Sequence, residues 1–395
     1  MFKLRDHQSL AIDTMERHQK GQLIMPTGAG KTICFIKDTE RLINSNVTNT
    51  IVVVCPRILL AQQLCEEFLE VIDTRMSHIL HVHSGTTHHY STTNPENIFL
   101  FNNVARDSGE NVIIFTTYHS LHQVMESDIE VNTIYFDESH NSTSKGFNIP
   151  VSYFSQEADR AFFFTATRKT SVADGKIGMN DYECYGNIIS RVPAPELIEK
   201  GYILPPKLKL QEFDFVSKIN ESLENDRHNI LKTVKDSNID KLLVCVKSVK
   251  QLTQLMSLTS FANDIKNLGY DFLYITAKTG AIVNGEKVSR EDFFTTLNSW
   301  GRDSNKKFVC LHRSILSEGI NVSGLQGVII LRNMTTIDAL QTIGRVIRLG
   351  DSTKTHGVVI VPTYNKVTKS VAKGLQTVID KTFIKGELVD SVTRR

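Results

Sequence analysis

The stretch LIMPTGAGKT, from Leu23 to Thr32, decides how this chain is read. A short apolar run leads into a turn with glycines at 28 and 30, and Lys31 and Thr32 then open a helix. Glycine has no Cβ, so backbone N–H groups at such a turn can converge on a triphosphate. Lys31 would neutralise the β and γ phosphates, and the Thr32 hydroxyl would hold Mg²⁺ at the helix N-terminus. Thr27, Gly28, Ala29, Gly30, Lys31 and Thr32 are therefore the expected ATP cradle. The strict phosphate-loop pattern fails at its first glycine, which is Met25 here.

The second signal lies downstream, at TIYFDESH, Thr133 to His140, where an apolar strand ends in adjacent carboxylates. Asp137 would complete the Mg²⁺ shell and Glu138 would polarise the attacking water. Around these two signals, β-branched runs alternate with amphipathic stretches: Thr50 to Cys55, Val112 to Phe115, Thr133 to Phe136 and Ala161 to Phe164, then Leu242 to Val246, Phe272 to Ile275, Phe308 to Leu311 and Val328 to Leu331. That rhythm predicts parallel strands with crossover helices. It breaks between Arg168 and Phe213, where glycines and prolines cluster. A boundary near Leu204 therefore divides residues 1–204 from 205–395, giving two α/β domains with a cleft between them as the expected ATP site.

Composition fits this reading. With 395 residues, 41% hydrophobic and 22% charged, the chain excludes disordered, collagen-like and fibrous classes. Its 45 Lys and Arg against 43 Asp and Glu leave a net charge of +2, so a polyanion would have to be met by a local basic surface. The six cysteines form no CxxC pair and are expected as buried free thiols. No window approaches the roughly 18 apolar residues of a membrane span, and a cytoplasmic monomer is expected. The stretch from Leu388 to Arg395 reads as a basic tail.

With FTAT (Phe164 to Thr167), SEGINV (Ser317 to Val322) and QTIGRVIR (Gln341 to Arg348) added, the chain resembles a superfamily 2 helicase or translocase of the DExH kind. Within it, the look is nearest to the motor subunits of type I and III restriction enzymes, the XPB-like helicases and the phage UvsW-type helicases. The resemblance implies two tandem RecA-like domains, each a mainly parallel sheet flanked by helices, that bind ATP and Mg²⁺ and act on nucleic acid. It makes Arg5 and Gln8 the adenine-recognition element. Arg57 and Gln63, with Thr116 and Thr117, become backbone grips in the first domain, and Lys247 and Thr276 become grips in the second. Thr165, Thr167 and His140 become coupling residues, and Gly319 approaches the ribose, although the family more often has Asp where this chain has Asn321. Gln341, Arg345 and Arg348, spaced i, i+4 and i+7 on one helical face, become γ-phosphate ligands, the two arginines as fingers. The expected activity is ATP-driven unwinding or translocation, with DNA favoured over RNA on the DESH box and the restriction-motor look. Branched replication or recombination intermediates are candidate substrates. An RNA helicase, a restriction-system motor subunit and a nucleotide-dependent clamp are the rival readings.

Overall fold

The computed structural model describes residues 3–73, 75, 77–214, 223–276, 278–313, 324–350 and 354–394. Two compact units emerge, the first comprising residues 1–192 with 390–395 and the second residues 193–389. The first unit runs α1 (Asp6–Glu16), β1 (Lys20–Ile24), α2 (Lys31–Ile43), β2 (Thr50–Cys55), α3 (Ile58–Leu69), β3 (Ser77–Val82), α4 (Pro95–Asp107) and β4 (Asn111–Thr117). It continues with α5 (Leu121–Glu126), β5 (Thr133–Phe136), α6 (Asn148–Glu157), β6 (Arg160–Thr165), β7 (Lys169–Ser171), α7 (Tyr182–Tyr185) and β8 (Ile188–Arg191). Its main sheet has the order β3-β4-β2-β5-β6-β1-β8, and every pairing in it is parallel.

Strands covered by helices on both faces must be apolar on both faces. Accordingly β2, β4 and β5 are buried at every position. Beneath them Phe35 of α2 packs on Phe68, Tyr135 and Phe164, at ring-centroid distances of 5.9, 5.6 and 5.2 Å. Each such ring contributes about 1.5–3 kcal/mol by its removal from water. A buried polar pin adds direction to this packing: Asp38 of α2 accepts from the Tyr135 hydroxyl at 2.6 Å and pairs with Arg160 at 2.9 Å. The helix that follows the Leu23–Thr32 stretch is thus fixed to β5 and β6.

The second unit holds α8 (Ala194–Glu199), β9 (Pro206–Glu212), α9 (Leu223–Ser237), β10 (Lys241–Cys245), α10 (Val249–Leu258), α11 (Phe261–Asn267) and β11 (Asp271–Thr276). After these come β12 (Gly280–Val283), β13 (Glu286–Val288), α12 (Arg290–Arg302), β14 (Phe308–His312), β15 (Gly327–Ile330), α13 (Thr336–Val346), β16 (Gly357–Thr363) and α14 (Lys366–Ile379). The sheet order is β13-β12-β11-β14-β10-β15-β16-β9. Its pairings are parallel except for the antiparallel β11-β12-β13 end. A last strand, β17 (Ser391–Thr393), belongs to the first unit and pairs in parallel with β7.

Each β-branched run named from the sequence falls on a strand, and all six cysteines are free and buried. The division differs from the expected one: it lies between Val192 and Pro193 rather than at Leu204. The physical reason is that residues 193–204 are held by the second unit. Leu204 N donates to Ile347 O at 2.7 Å, and Pro193 and Pro195 lie against Gly386. The tail reading of Leu388 to Arg395 is also corrected, because this stretch contains β17. Among the described residues no helix is long and apolar enough to cross a membrane.

Candidate nucleotide site and nucleic-acid contacts

β1 ends at Ile24, and the chain turns before Lys31 opens α2. Gly28 and Gly30 have φ of 89° and 80°, a region L side chains avoid. At Gly30 a Cβ would also collide with Nε2 of Gln8. No side chain caps α2, so the N–H groups of its first turn, at the positive end of the helix dipole, are placed to receive an anion. Lys31 is buried with its ammonium 3.4 Å from Met25 O. The Thr27 hydroxyl is shielded and has no partner among the described residues. Thr32 sits half-buried on the first turn of α2.

The start of α1 packs onto this loop. The Arg5 N–H donates to Gln8 Oε1 at 3.0 Å, and Gln8 Nε2 donates to Ala29 O at 3.1 Å. An Arg5 guanidinium nitrogen lies 3.5 Å from Gly28 O. Both ends of the buried Gln8 amide are therefore engaged, and here it holds the phosphate loop rather than an open base-pairing edge. His7, which sequence reasoning passed over, donates from Nε2 to Ala29 O at 2.8 Å.

At the carboxyl end of β5, Asp137 and Glu138 are both buried. Burial first, then the Glu138 charge, push the Asp137 carboxyl up to about 7, against the opposing pull of Lys31. Glu138 has φ 45° and ψ 50°, a strained left-handed conformation for a residue with a side chain. His140 Nδ1 is 3.5 Å from Glu138 Oε2 and 3.0 Å from Thr165 Oγ1. The tautomer follows from the neighbours: Asn141 Nδ2 donates to His140 Nε2 at 3.2 Å, so Nδ1 carries the proton and donates it to Thr165 Oγ1, with Glu138 Oε2 alongside. The Thr165 hydroxyl donates to Thr167 O at 2.9 Å and accepts from Thr167 N at 3.2 Å. Met25 N donates to Thr165 O at 3.0 Å, joining this network to the phosphate loop. His140, Thr165 and Thr167 are thus brought together with Glu138. Asn141, whose role is set by folding rather than by spacing, was not foreseen.

The expected nucleic-acid grips fare unequally. Arg57 is exposed at the start of α3, and half-buried Gln63 donates to Glu67 at 2.8 Å. Thr116 is a correction: it is fully buried and its hydroxyl donates to Val82 O at 2.9 Å, so the side chain is not presented to a ligand. Thr117 is buried with its hydroxyl 3.4 Å from Ser120 Oγ. Next to it the Tyr118 hydroxyl donates to Asp137 O at 2.9 Å, tying this strand end to the acidic pair.

In the second unit Lys247 is committed to its own domain. Its ammonium pairs with Asp226 at 2.8 Å and lies 5.2 Å from the Tyr364 ring centre. Asp226 also accepts from Gln251 at 2.6 Å. Thr276 is buried, and its hydroxyl accepts from Lys278 N and Thr279 N at 3.2 and 2.9 Å, which organises a turn rather than a ligand contact. Gly319 and the SEGINV motif lie outside the described residues. Gln341 and Arg345 are buried on α13, one turn apart, and Gln341 Nε2 has no partner among the described residues. The expected helix to Arg348 is corrected: α13 ends at Val346 with Ile347 as its cap. Gly357 lies so close to Val346 O that a Cβ would not fit. Arg348 follows the cap, its carbonyl accepting from Lys354 at 2.8 Å.

Arginines 313 and 332, missed by motif reading, stand at the carboxyl ends of β14 and β15. Buried His312 beside them lies 3.2 Å from Cys245 Sγ. Burial and the charges of Arg332, Arg345 and Arg313 push His312 down to about 3. The signal available in the sequence was position alone, since ligands of α/β sheets gather at carboxyl strand ends.

These residues fit ATP and Mg²⁺. The uncapped α2 terminus, the Cβ-excluding turn at Gly30 and the unpartnered Thr27 hydroxyl suit phosphate oxygens. Thr32 and Asp137 offer the hard oxygen donors that Mg²⁺ takes alongside phosphates and water.

Residues 1–170 match the family described as type III restriction enzyme, res subunit, and residues 223–350 match the helicase conserved C-terminal domain. No curated protein matches the chain in sequence. Among solved structures, the ATP-dependent type ISP restriction-modification enzyme LlaBIII bound to DNA superposes with a TM-score of 0.73 at 16% identity, covering 100% of this chain and 31% of that one. A nuclease-deletion mutant of the type ISP enzyme LlaGI, in complex with a DNA substrate mimic, gives 0.66 at 19% identity, covering 99% and 30%. The E. coli DExH-box NTPase HrpB gives 0.58 at 12% identity, covering 94% and 43%. The chain therefore spans under a third of the length of the two restriction-modification enzymes. Fold and site together define a tandem RecA-like phosphate-loop protein. The two family matches, in this order along one chain, place it among the superfamily 2 helicases, related to the restriction motor subunits.

Proposed function

We propose that this chain is a nucleic-acid-stimulated ATPase that uses ATP hydrolysis to move along DNA, with DNA favoured over RNA. The observation that carries the reading is the convergence, at the carboxyl edge of one parallel sheet, of the uncapped α2 terminus and Lys31 with the Asp137–Glu138 pair and the His140–Thr165–Thr167 network. The DNA preference draws support from the two type ISP enzymes, both of which were solved with DNA or a DNA mimic.

When bound, Mg²⁺ neutralises charge that develops on the phosphate oxygens. Thr32 and Asp137 would hold it. Lys31 and the α2 N–H groups stabilise negative charge on the transferring phosphoryl group, in a site that is already oriented. Glu138 accepts a hydrogen bond from the attacking water, and the His140 Nδ1 proton keeps its carboxylate aimed. Thr165 and Thr167 pass the state of that carboxylate to the backbone following β6. Gln341, Arg345 and Arg348 act on the γ-phosphate from the second unit, and Arg57 and Gln63 grip the sugar-phosphate backbone, a contact that is independent of base sequence.

Lys31→Ala and Glu138→Gln test the assignment together. Both should bring ATP turnover to background, while Glu138→Gln keeps its affinity in a fluorescent-nucleotide titration because the phosphate cradle is intact. Wild-type turnover in either variant would overturn the assignment.

A further inference from the structure

β7 begins two residues after Thr167, yet it lies outside the seven-stranded sheet. Its one strand partner among the described residues is β17, from the far end of the chain, in the register Lys169 to Ser391, Val392 to Thr170 and Thr393 to Ser171. The pairing is reinforced at both ends. Ser391 N donates to Arg168 O at 2.8 Å, and Val172 N donates to Thr393 O at 3.0 Å. At its entrance Arg168 forms a two-pronged ion pair with Asp390, Nε to Oδ1 at 3.1 Å and the terminal nitrogen to Oδ2 at 2.6 Å. Both side chains are largely shielded, at 11% and 21% exposure, a setting in which a bidentate pair fixes geometry as well as contributing energy.

The loop from Thr165 to Arg168 is therefore held at two ends by different means. Thr165 is locked in the main sheet. Arg168 gains its ion-pair partner, and β7 its strand partner, from residues that the chain delivers only after it has traversed the second unit, which it enters after Val192 and leaves after Val389. Nearer in sequence, Met179 N donates to Lys169 O at 2.8 Å, and Asn180 bonds the Ser171 N–H and carbonyl at 2.8 and 3.0 Å. A two-stranded ribbon is marginal by itself, so without β17 and the Arg168–Asp390 pair β7 keeps only its bonds to Met179 and Asn180 and fixes the exit of the loop less tightly. The buried Thr167 hydroxyl, which has no partner among the described residues, lies between the two anchors.

We infer that Arg168 and Asp390, with β17, are positioning residues: they set the Thr165–Thr167 loop, and through its contact with His140 they aim Glu138 for nucleic-acid-stimulated ATP turnover. This rests on the function proposed above. The clasp touches neither phosphate nor Mg²⁺, so losing it should lower kcat rather than nucleotide affinity. A misplacement of about 1 Å at such a site costs on the order of 10²-fold.

The test compares wild type with Asp390→Ala, the milder Asp390→Asn, Arg168→Asp, and the exchanged pair Arg168→Asp with Asp390→Arg. ATPase kcat and KM are measured with and without duplex DNA, alongside thermal unfolding of each variant. The expected result is a fall in DNA-stimulated kcat of about 10-fold or more in the single variants, a KM within about 3-fold of wild type, and partial recovery in the exchanged pair. Wild-type kcat in a folded Asp390→Ala overturns the inference, as does a kcat loss in Asp390→Asn that tracks its loss of folded protein and is not relieved by the exchange. If wild type itself shows no DNA stimulation, the function reading fails, and that outcome is distinct from loss in the variants alone.

Discussion

The carboxyl edges of the two sheets carry opposite electrostatic problems. In the first unit Asp137 and Glu138 are buried side by side, and the Asp137 carboxyl is pushed up to about 7. In the second, Arg332 and Arg345 are buried, and burial first, then the charges of Arg332, Arg345 and Arg313, push His312 down to about 3. Asp338, 3.5 Å from Arg332, is a modest counter-charge. One edge gathers carboxylates and the other gathers guanidinium groups. A divalent cation suits the first edge and a phosphate group the second. Like charges gathered in a core are informative where hydrogen-bond geometry alone is not, because burying them is costly and such perturbed groups cluster at functional sites.

The largest expected effect tests the second edge. Arg345→Ala and Arg348→Ala should each lower kcat by about 10³-fold or more if they meet the γ-phosphate. A loss below tenfold in either would make that arginine structural and reduce the comparison to one edge. A smaller effect sharpens the contrast between grips. Arg57→Ala, at an exposed position, should weaken DNA binding and reduce the dependence of log K on log salt by about 1. Lys247→Ala should instead lower the unfolding temperature of the second unit, because Asp226 loses its cation, and leave the salt slope unchanged. The reverse pattern would show that Lys247 leaves Asp226 for phosphate when DNA binds.

The smallest effect concerns the acidic pair and pH. The folded-state carboxyl of Asp137 has its pKa raised from 3.8 to about 7. Its contribution to stability is therefore fully present below pH 3.8 and is lost as pH rises through about 7. Asp137→Asn should raise the unfolding temperature of the nucleotide-free protein at pH 8 by about 2–4 °C for each kcal/mol relieved, and change little at pH 4. Mg²⁺ affinity in wild type should rise across the same interval, since the ion needs the carboxylate. Titration calorimetry in buffers of different ionisation enthalpy would detect the released proton.

Much of the first unit was legible because its chemistry is local. A phosphate loop and a strand-end acid pair each fit in a few consecutive residues, and the strands beneath them are continuous apolar runs. What escaped is non-local or polar. β3, with sequence SHILHV, and β9, with sequence PKLKLQE, are edge strands whose polar residues mask them, and lysines on an edge are a normal guard against further pairing. The β7–β17 pairing joins residues more than two hundred positions apart, so no window contains it. The partners that Thr116, Lys247 and Thr276 hold within the protein escaped for a related reason. A residue type at a motif position does not reveal that its polar atom is already engaged by Val82, Asp226 or the Thr279 turn.

The most direct test of the account is steady-state ATPase activity of the wild-type chain without nucleic acid and with single-stranded DNA, duplex DNA, branched DNA and single-stranded RNA, at low and moderate salt. The account predicts a low basal rate and strong stimulation by DNA that weakens as salt rises. A rate that stays flat across the panel, or one stimulated by RNA alone, would contradict it.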